Sequence, residues 1–231
     1  MRYGALLAIV QLAVGCSPSA PDNGAARQDN ASAPAPAKAA PQGEERLVVA
    51  FGDSLYAGYG LEGGEGFAPA LERALAAQGI RAKVVNAGVS GDTSAAGLAR
   101  FDFTMDGLAS KPDLVIVGLG GNDMLRGLPP EETRANLDAI LKRLKERGVP
   151  AMLTGMLASP NLGADYGATF NGLYADLARQ YDAPLYPFFL DGVLGRRDMM
   201  LPDGIHPNAQ GVESITAKVA PLVAARLKEL K

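Results

Sequence analysis

Short, almost wholly apolar segments alternate with longer amphipathic segments from residue 47 to the C-terminus. The apolar segments have the length of strands and lie at residues 47–51, 83–85, 114–119, 152–156 and around Leu185. Strands that are apolar on both faces belong to parallel sheets, because helices then cover both sides of the sheet. The alternation therefore predicts a three-layer α/β/α fold around a central parallel sheet of about five strands.

The segments between these strands carry apolar residues at the spacing of one helix face. This spacing predicts helices near residues 67–75, 93–108, 137–144, 169–181 and 212–227. Sheets of this kind bind ligands beyond the carboxyl ends of their strands. The polar residues that directly follow the strands are therefore the first candidates for a functional site.

The N-terminus has the pattern of an export signal, in which Arg2 precedes an apolar stretch at residues 5–14. The stretch is much shorter than the roughly 20 residues of a membrane-spanning helix. Residues 13–16, Ala-Val-Gly-Cys, resemble a bacterial lipobox, in which the cysteine becomes the lipid-modified first residue. The resemblance predicts lipidation at Cys16 and a lipoprotein on the periplasmic side of a bacterial membrane. Ser17 favours the outer membrane, because Asp there is the usual inner-membrane retention mark. The alternative is a cleaved signal and a soluble periplasmic protein.

Residues 17–44 cannot build a hydrophobic core, because they contain no Val, Ile, Leu, Met, Phe or Tyr. Their Ala, Pro, Ser and Gly content is typical of an extended tether. We therefore divide the chain into a signal peptide at residues 1–16, a tether at 17–44 and one folded domain at 45–231. The expected oligomeric state is a monomer.

Composition excludes several classes of function. Hydrophobic residues make up 48% of the chain and charged residues 20%, which predicts a substantial core. A net charge of -3 offers no cationic surface for a phosphate backbone, so no nucleic-acid partner is predicted. A single Cys and a single His exclude an internal disulfide and the metal centres built from several such residues. No metal and no cofactor is predicted.

Polar segments follow four of the predicted strands. They are GDSL at residues 52–55, NAGVSGDTS at 86–94, GGND at 120–123 and DGIHPN at 203–208. Each segment alone has a common structural explanation, such as a turn or a helix cap. Because all four fall at one predicted edge of the sheet, we favour a catalytic site.

These segments contain the groups that acyl transfer requires. Ser54, at a strand-to-helix turn, is the candidate nucleophile, and His206 is the only imidazole base. Asp203 lies three residues before His206, where a tight turn lets its carboxylate orient the ring. The backbone N–H groups of Ser54 and Gly91 and the side-chain amide of Asn122 are the candidate oxyanion donors. We expect the neighbouring aspartates to hold the loops, namely Asp53, Asp92 and Asp123.

In order, the four segments match the four sequence blocks of the SGNH (GDSL) hydrolase family. The resemblance extends from about residue 48 to the C-terminus. Further segments, GLAR at residues 97–100 and PLYPFF at 184–189, are similar to its bacterial thioesterase, lysophospholipase and arylesterase branch. The resemblance implies a flavodoxin-like sheet, a Ser54-His206-Asp203 triad and an oxyanion hole at Ser54, Gly91 and Asn122. It also implies a serine esterase that hydrolyses acyl or aryl esters, thioesters or lysophospholipids through an acyl-enzyme.

Two alternatives belong to other classes of function. One is a metal-dependent phosphoesterase with ligands among Asp53, Asn122, Asp123, Asp203 and His206, although such sites usually use more imidazoles. The other is a non-catalytic module that binds a ligand at the sheet edge.

The substrate side of the site is expected in the loops around the nucleophile, at residues 61–66, 124–130 and 157–166. An acyl channel is predicted from five side chains, Met124, Leu125, Met156, Leu157 and Tyr166. Their apolar character predicts a small acyl or aryl ester or a lipid-like substrate.

Overall fold

A five-stranded, wholly parallel sheet forms the centre of the computed structural model, which describes residues 42–230. The strands are Gln42–Gly52 (β1), Ile80–Gly88 (β2), Leu114–Gly118 (β3), Ala151–Thr154 (β4) and Leu185–Tyr186 (β5). Their order across the sheet is β2-β1-β3-β4-β5. The connections between neighbouring parallel strands all contain helices, as crossovers of this kind require.

The helices include five long ones and two short ones. They are Ser54–Ala57 (α1), Phe67–Ala76 (α2), Ser94–Asp106 (α3), Gly121–Leu125 (α4), Pro130–Glu146 (α5), Ala164–Tyr181 (α6) and Ala209–Glu229 (α7), with a 3₁₀ turn at Pro160–Leu162. None of the helices described between residues 42 and 230 has both the length and the apolar character to cross a bilayer.

The side chains of β3 show how the helices cover both faces of the sheet. Leu114 and Ile116 are fully buried in a core shared with α1, α2 and α7. Val115 and Val117 are fully buried in a second core shared with α3, α5 and α6. Because successive side chains of a strand point to opposite faces, both faces need apolar residues. The predicted three-layer α/β/α fold with a parallel five-stranded sheet is confirmed.

The structure differs from the sequence prediction at the start of the domain. Strand β1 begins at Gln42 rather than at residue 47, so residues 42–44, which were assigned to the tether, lie in the strand. Gln42 pairs with Ile80 of β2, and the register shifts before Arg46. Backbone pairing needs no apolar side chain, and residues 43–45 are exposed, so hydrophobicity gave no signal there. The predicted signal peptide, Cys16 and the rest of the tether lie outside the described residues.

Two short helices were absent from the prediction, because a helix of about one turn is too short for its apolar residues to repeat. Helix α1 has 4 residues and directly follows β1, and α4 has 5 residues and follows β3. Both begin at the carboxyl edge of the sheet, where the four polar segments were expected to meet. The nucleophile candidate Ser54 lies in α1, and Asn122 lies in α4.

Candidate active site

A row of glycines at the carboxyl edge of the sheet determines where α1 lies. Gly52 of β1 is paired with Gly88 of β2 and with Gly118 of β3. A Cβ atom on Gly52 or Gly118 would overlap the ring of Tyr56, and one on Gly88 would overlap the backbone of α1. The buried Tyr56 hydroxyl also lies 2.6 Å from Thr154 Oγ1 in β4. Helix α1 therefore packs directly on the strand ends, and its first residue, Ser54, is held at the sheet edge.

The three side chains of the expected triad meet at this edge. His206 Nε2 lies 2.9 Å from Ser54 Oγ, and His206 Nδ1 lies 2.7 Å from Asp203 Oδ2. With Nδ1 protonated and donating to the carboxylate, Nε2 is the lone-pair nitrogen that faces the hydroxyl. The ring of Tyr59 packs against the imidazole with centroids 4.3 Å apart.

Backbone hydrogen bonds fix the loop that carries Asp203 and His206. The N–H of Leu201 donates to the carbonyl of His206 at 2.8 Å, and residues 200 and 207 form an antiparallel bridge. Gly204, with φ of +68°, turns the chain between the two triad residues. Asp203 Oδ1 accepts the N–H groups of Ile205 at 2.9 Å and His206 at 3.0 Å. The N–H and ring of His206 and the N–H of Ile205 lower the pKa of Asp203 to about 2, so its carboxylate stays ionised.

Asp53, directly before the nucleophile, is a buried carboxyl group that caps α1. Its Oδ1 accepts the N–H of Leu55 at 3.0 Å, and only 3% of the residue is exposed. Burial raises the pKa of Asp53 to about 6 from its ordinary value of 3.8, because removal from water disfavours the charged form. The hydrogen bond from Leu55 and the nearby His206 act in the opposite direction but do not cancel the effect of burial.

The raised pKa of Asp53 predicts a loss of stability as the pH rises. The folded state holds a proton that the unfolded state has already released, so this contribution is complete below about pH 4 and lost as the pH passes 6. Asp53→Asn keeps an acceptor for Leu55 and cannot ionise. We expect its free energy of unfolding to rise relative to wild type by about 2 kcal/mol between pH 4 and 7. Urea unfolding of both proteins across this range measures the change, and a pH-independent difference would contradict it.

Asn122 and Gly91, the other candidate oxyanion donors, lie on adjoining segments. Asn122 Nδ2 donates to the carbonyl of Asp92 at 2.9 Å and makes a longer contact of 3.5 Å with Asp53 Oδ2. Gly91 precedes Asp92 and has a φ of +86°, a conformation that favours glycine. Its carbonyl accepts a hydrogen bond from Arg126 at 2.8 Å.

Buried Asp123 connects three helices behind the site. Its carboxylate accepts hydrogen bonds from the backbone N–H of Ser94 at 2.7 Å, from the Ser94 hydroxyl, and from Thr133 Oγ1 at 3.2 Å. These contacts join α4 to the start of α3 and to α5. Within residues 42–230, no three His, Cys, Asp or Glu side chains lie together as a metal site built from them would require.

A cavity of about 600 Å³ opens beside Ser54, Asn122 and His206, which all line it. Four of the five side chains predicted for the acyl channel line this cavity, namely Met124, Leu125, Met156 and Leu157. Gly91 and the loop at residues 61–66 do not line it.

The structure places Tyr166, the fifth predicted channel residue, outside the lining of this cavity. Its hydroxyl donates to the carbonyl of Leu128 at 2.9 Å, and its ring stacks on Phe170 with centroids 5.7 Å apart. Tyr166 lies in the first turns of α6, and these contacts place its ring against the core beneath the loop that follows α4. It therefore supports that loop and does not line the cavity.

Further apolar residues, which were not predicted from the sequence, also line the cavity. Phe188, Leu190, Leu194 and Ile205 all line it. Leu194 and Ile205 are 53% and 44% exposed, so they form part of its open rim. Their place in the sequence could have identified two of them, because Phe188 belongs to the PLYPFF segment and Ile205 lies between the two triad residues. Neither segment has a periodicity that indicates a cavity.

A parallel α/β/α sheet with a Ser-His-Asp cluster and an adjacent amide at its carboxyl edge is the arrangement of an SGNH hydrolase. The sequence profile of the GDSL-like lipase/acylhydrolase family matches residues 50–213, and this chain belongs to that family.

Individual relatives agree with this assignment. The chain is 40% identical over 166 residues to the esterase TesA of Pseudomonas aeruginosa, which covers 72% of this chain and 82% of the relative. It is 37% identical over 161 residues to the thioesterase 1/protease 1/lysophospholipase L1 of Escherichia coli K12, covering 70% and 75%. The crystal structure of AlinE4, an SGNH-hydrolase family esterase, superposes with a TM-score of 0.69 at 53% identity, covering 80% of this chain and 97% of that one.

Proposed function

We propose that this protein is a serine esterase that hydrolyses carboxylic esters or thioesters through Ser54, His206 and Asp203. The observation that carries the proposal is the continuous hydrogen-bonded series from Asp203 through His206 to Ser54, with distances of 2.7 and 2.9 Å, at the edge of an apolar cavity. The 2.9 Å between His206 and Ser54 is within the reach that proton transfer requires, and the 2.7 Å to Asp203 lets the carboxylate orient the imidazole. The names of the relatives, which include an esterase and an arylesterase, agree with this class of reaction.

Hydrolysis then proceeds in two halves. His206 Nε2 takes the hydroxyl proton while Ser54 Oγ attacks the carbonyl carbon, and the Asp203 carboxylate stabilises the imidazolium that forms. The tetrahedral oxyanion is bound by the N–H groups of Ser54 and Gly91 and by the Asn122 amide. The imidazolium returns its proton to the leaving alcohol or thiol, which leaves an acyl group on Ser54. Water, activated by the same imidazole, then releases the acid.

The lining of the cavity favours acyl chains over sugars as the bound group. Met124, Met156, Leu157 and Phe188 present apolar surface beside the nucleophile. Each methylene that leaves water contributes about 0.8 kcal/mol to binding, so a longer chain gains affinity until it outgrows the cavity. We therefore propose acyl and aryl esters as substrates, with lysophospholipids and thioesters in the same class.

Hydrolysis rates across p-nitrophenyl esters from acetate to dodecanoate, with an acyl-CoA and a lysophospholipid beside them, test this proposal. We expect kcat/KM to rise with chain length and then fall, activity to survive EDTA, and a fluorophosphonate to label Ser54 and abolish turnover. Loss of activity in EDTA without sensitivity to the fluorophosphonate would instead support the metal-dependent phosphoesterase. A protein that binds esters without turnover would be the binding module.

We further propose that the protein is exported and anchored through a lipid on Cys16. The support lies in the sequence, where Cys16 comes two residues after the apolar stretch and is followed by a tether that lacks core-forming residues. Wild type is expected to incorporate a labelled fatty acid and to fractionate with membranes. Cys16→Ser is expected to lose both properties, and a labelled Cys16→Ser protein would exclude this anchor.

A further inference from the structure

Arg100 of α3 contacts both the end of β1 and the loop that follows β2. Its Nε donates to Asp92 Oδ2 at 2.6 Å, and its Nη2 donates to the carbonyl of Gly52 at 2.9 Å. The guanidinium carbon also lies 4.2 Å from the centre of the Phe51 ring, a cation–π contact. The side chains of Arg100 and Asp92 are only 20% and 12% exposed, so solvent screens their ion pair weakly.

The groups that Arg100 contacts are next to, or hydrogen-bonded to, the segments that carry the three candidate oxyanion donors. Gly52 ends β1, two residues before Ser54. Asp92 directly follows Gly91, and its carbonyl accepts the amide of Asn122 at 2.9 Å. One guanidinium group therefore connects the segment of the nucleophile to the segment that carries Gly91 and holds Asn122.

The Gly91 segment needs such support, because the sheet pairing ends before it. The pairing of β1 with β2 stops at Gly52 and Gly88, and beyond it Val89 donates to the carbonyl of Gly52 at 3.0 Å. Val89 and Gly91 are exposed, and Gly91 has a positive φ. An oxyanion donor is effective only when it is held about 2.7–3.1 Å from the oxygen before the reaction.

The close packing of α3 against the sheet places Arg100 within reach of both Gly52 and Asp92. A Cβ atom on Gly97, one turn before Arg100, would overlap a methyl group of Leu119, which follows β3. Thr93 caps α3 by accepting the N–H of Ala96 at 3.2 Å, which fixes the start of the helix beside Asp92. Two residues of the GLAR segment therefore act together. Gly97 allows α3 to pack closely against Leu119, and Arg100 makes the hydrogen bonds to Asp92 and Gly52.

We propose that Arg100 is a positioning residue that holds the oxyanion donors in register with Ser54. The inference rests on the proposed esterase function, because it concerns the donors of that reaction. Arg100 touches neither the substrate cavity nor the triad, so its effect on catalysis is exerted through Asp92 and Gly52.

Arg100→Met tests the proposal, because it keeps the aliphatic stem and removes the hydrogen bonds to Asp92 and Gly52. We expect kcat to fall by about 10- to 100-fold with KM changed less than about threefold, since a misplaced donor weakens binding of the transition state more than of the substrate. Arg100→Lys keeps the charge without the planar fork and is expected to recover part of kcat. Asp92→Asn removes the ion pair with little change of shape and is expected to lower kcat in the same way.

Arg143→Met is the matched control. Arg143 of α5 is also ion-paired to α3, through Asp102 at 2.8 Å, but contacts no loop of the site. We expect wild-type kcat for this variant. Thermal unfolding of each variant confirms that the compared proteins are folded at the assay temperature.

A double substitution separates positioning from general damage to the fold. If Arg100 acts through the donors, Arg100→Met should lower kcat less in an Asn122→Ala background than in wild type, because part of what it positions is already absent. Multiplicative losses, or a kcat for folded Arg100→Met within about twofold of wild type, would overturn the proposal. Full activity of Ser54→Ala would instead overturn the proposed function, and the positioning role with it.

Discussion

Ser54→Ala is expected to lower kcat for p-nitrophenyl acetate by about 10⁴-fold or more, because the acyl-enzyme cannot form without the hydroxyl. His206→Ala should cost as much, since the chain has no second imidazole to take the proton. The two losses should not multiply in the double variant, because the groups act as one unit. Initial rates of the purified proteins measure all three effects.

Ser110→Ala is the control for this comparison. Ser110 is an exposed serine between α3 and β3, near the amino end of β3 and away from the carboxyl edge. It should retain wild-type turnover and wild-type labelling by the fluorophosphonate. Wild-type turnover of Ser54→Ala would show that Ser54 is not the nucleophile.

Asn122→Ala is expected to lower kcat by about 10²–10³-fold with little change in KM, because the amide binds charge that develops only in the transition state. The side chain already donates to Asp92 at 2.9 Å, which orients the amide before substrate arrives. Steady-state kinetics on a short and a medium-chain ester separate kcat from KM. Asn122→Asp replaces a donor by an acceptor of the same shape and should be at least as impaired.

Asn136→Ala is the matched control for the loss of an amide. Asn136 of α5 donates to Ser94 Oγ at 3.0 Å behind the site and does not line the cavity. We expect it to affect stability and to leave kcat near that of wild type. If Asn122→Ala and Asn136→Ala had equal kcat values, Asn122 would be only a structural residue.

The fold was predictable because each buried strand of a parallel sheet must be apolar on both faces. Residues 114–118 show this, since all five are buried. The start of β1 at Gln42 was not predictable, because Gln42 joins the sheet by backbone pairing and the side chains of residues 43–45 are exposed. The helices α1 and α4 were equally hidden, because one turn is too short to show a period.

The candidate site also has parts that the sequence predicted and parts that it did not. The identity of the reactive groups lay in local segments, and the carboxyl edge where they meet followed from the parallel sheet. The lining of the cavity depends on side chains whose neighbours are far away in sequence. Tyr166 near the start of α6 and Phe188 in the loop after β5 illustrate this. Both are aromatic, yet only Phe188 lines the cavity.

The sequence by itself determined the layers, the family and the chemical groups, because periodicity and local motifs are properties of neighbouring residues. Only the tertiary structure decided which groups touch: the 2.9 Å contact of His206 with Ser54 joins residues 152 positions apart. The same holds for Arg100, whose 2.9 Å hydrogen bond to Gly52 joins residues 48 positions apart. Such contacts depend on how helices pack on the sheet to within an ångström, and this packing is settled by the whole core rather than by any one segment.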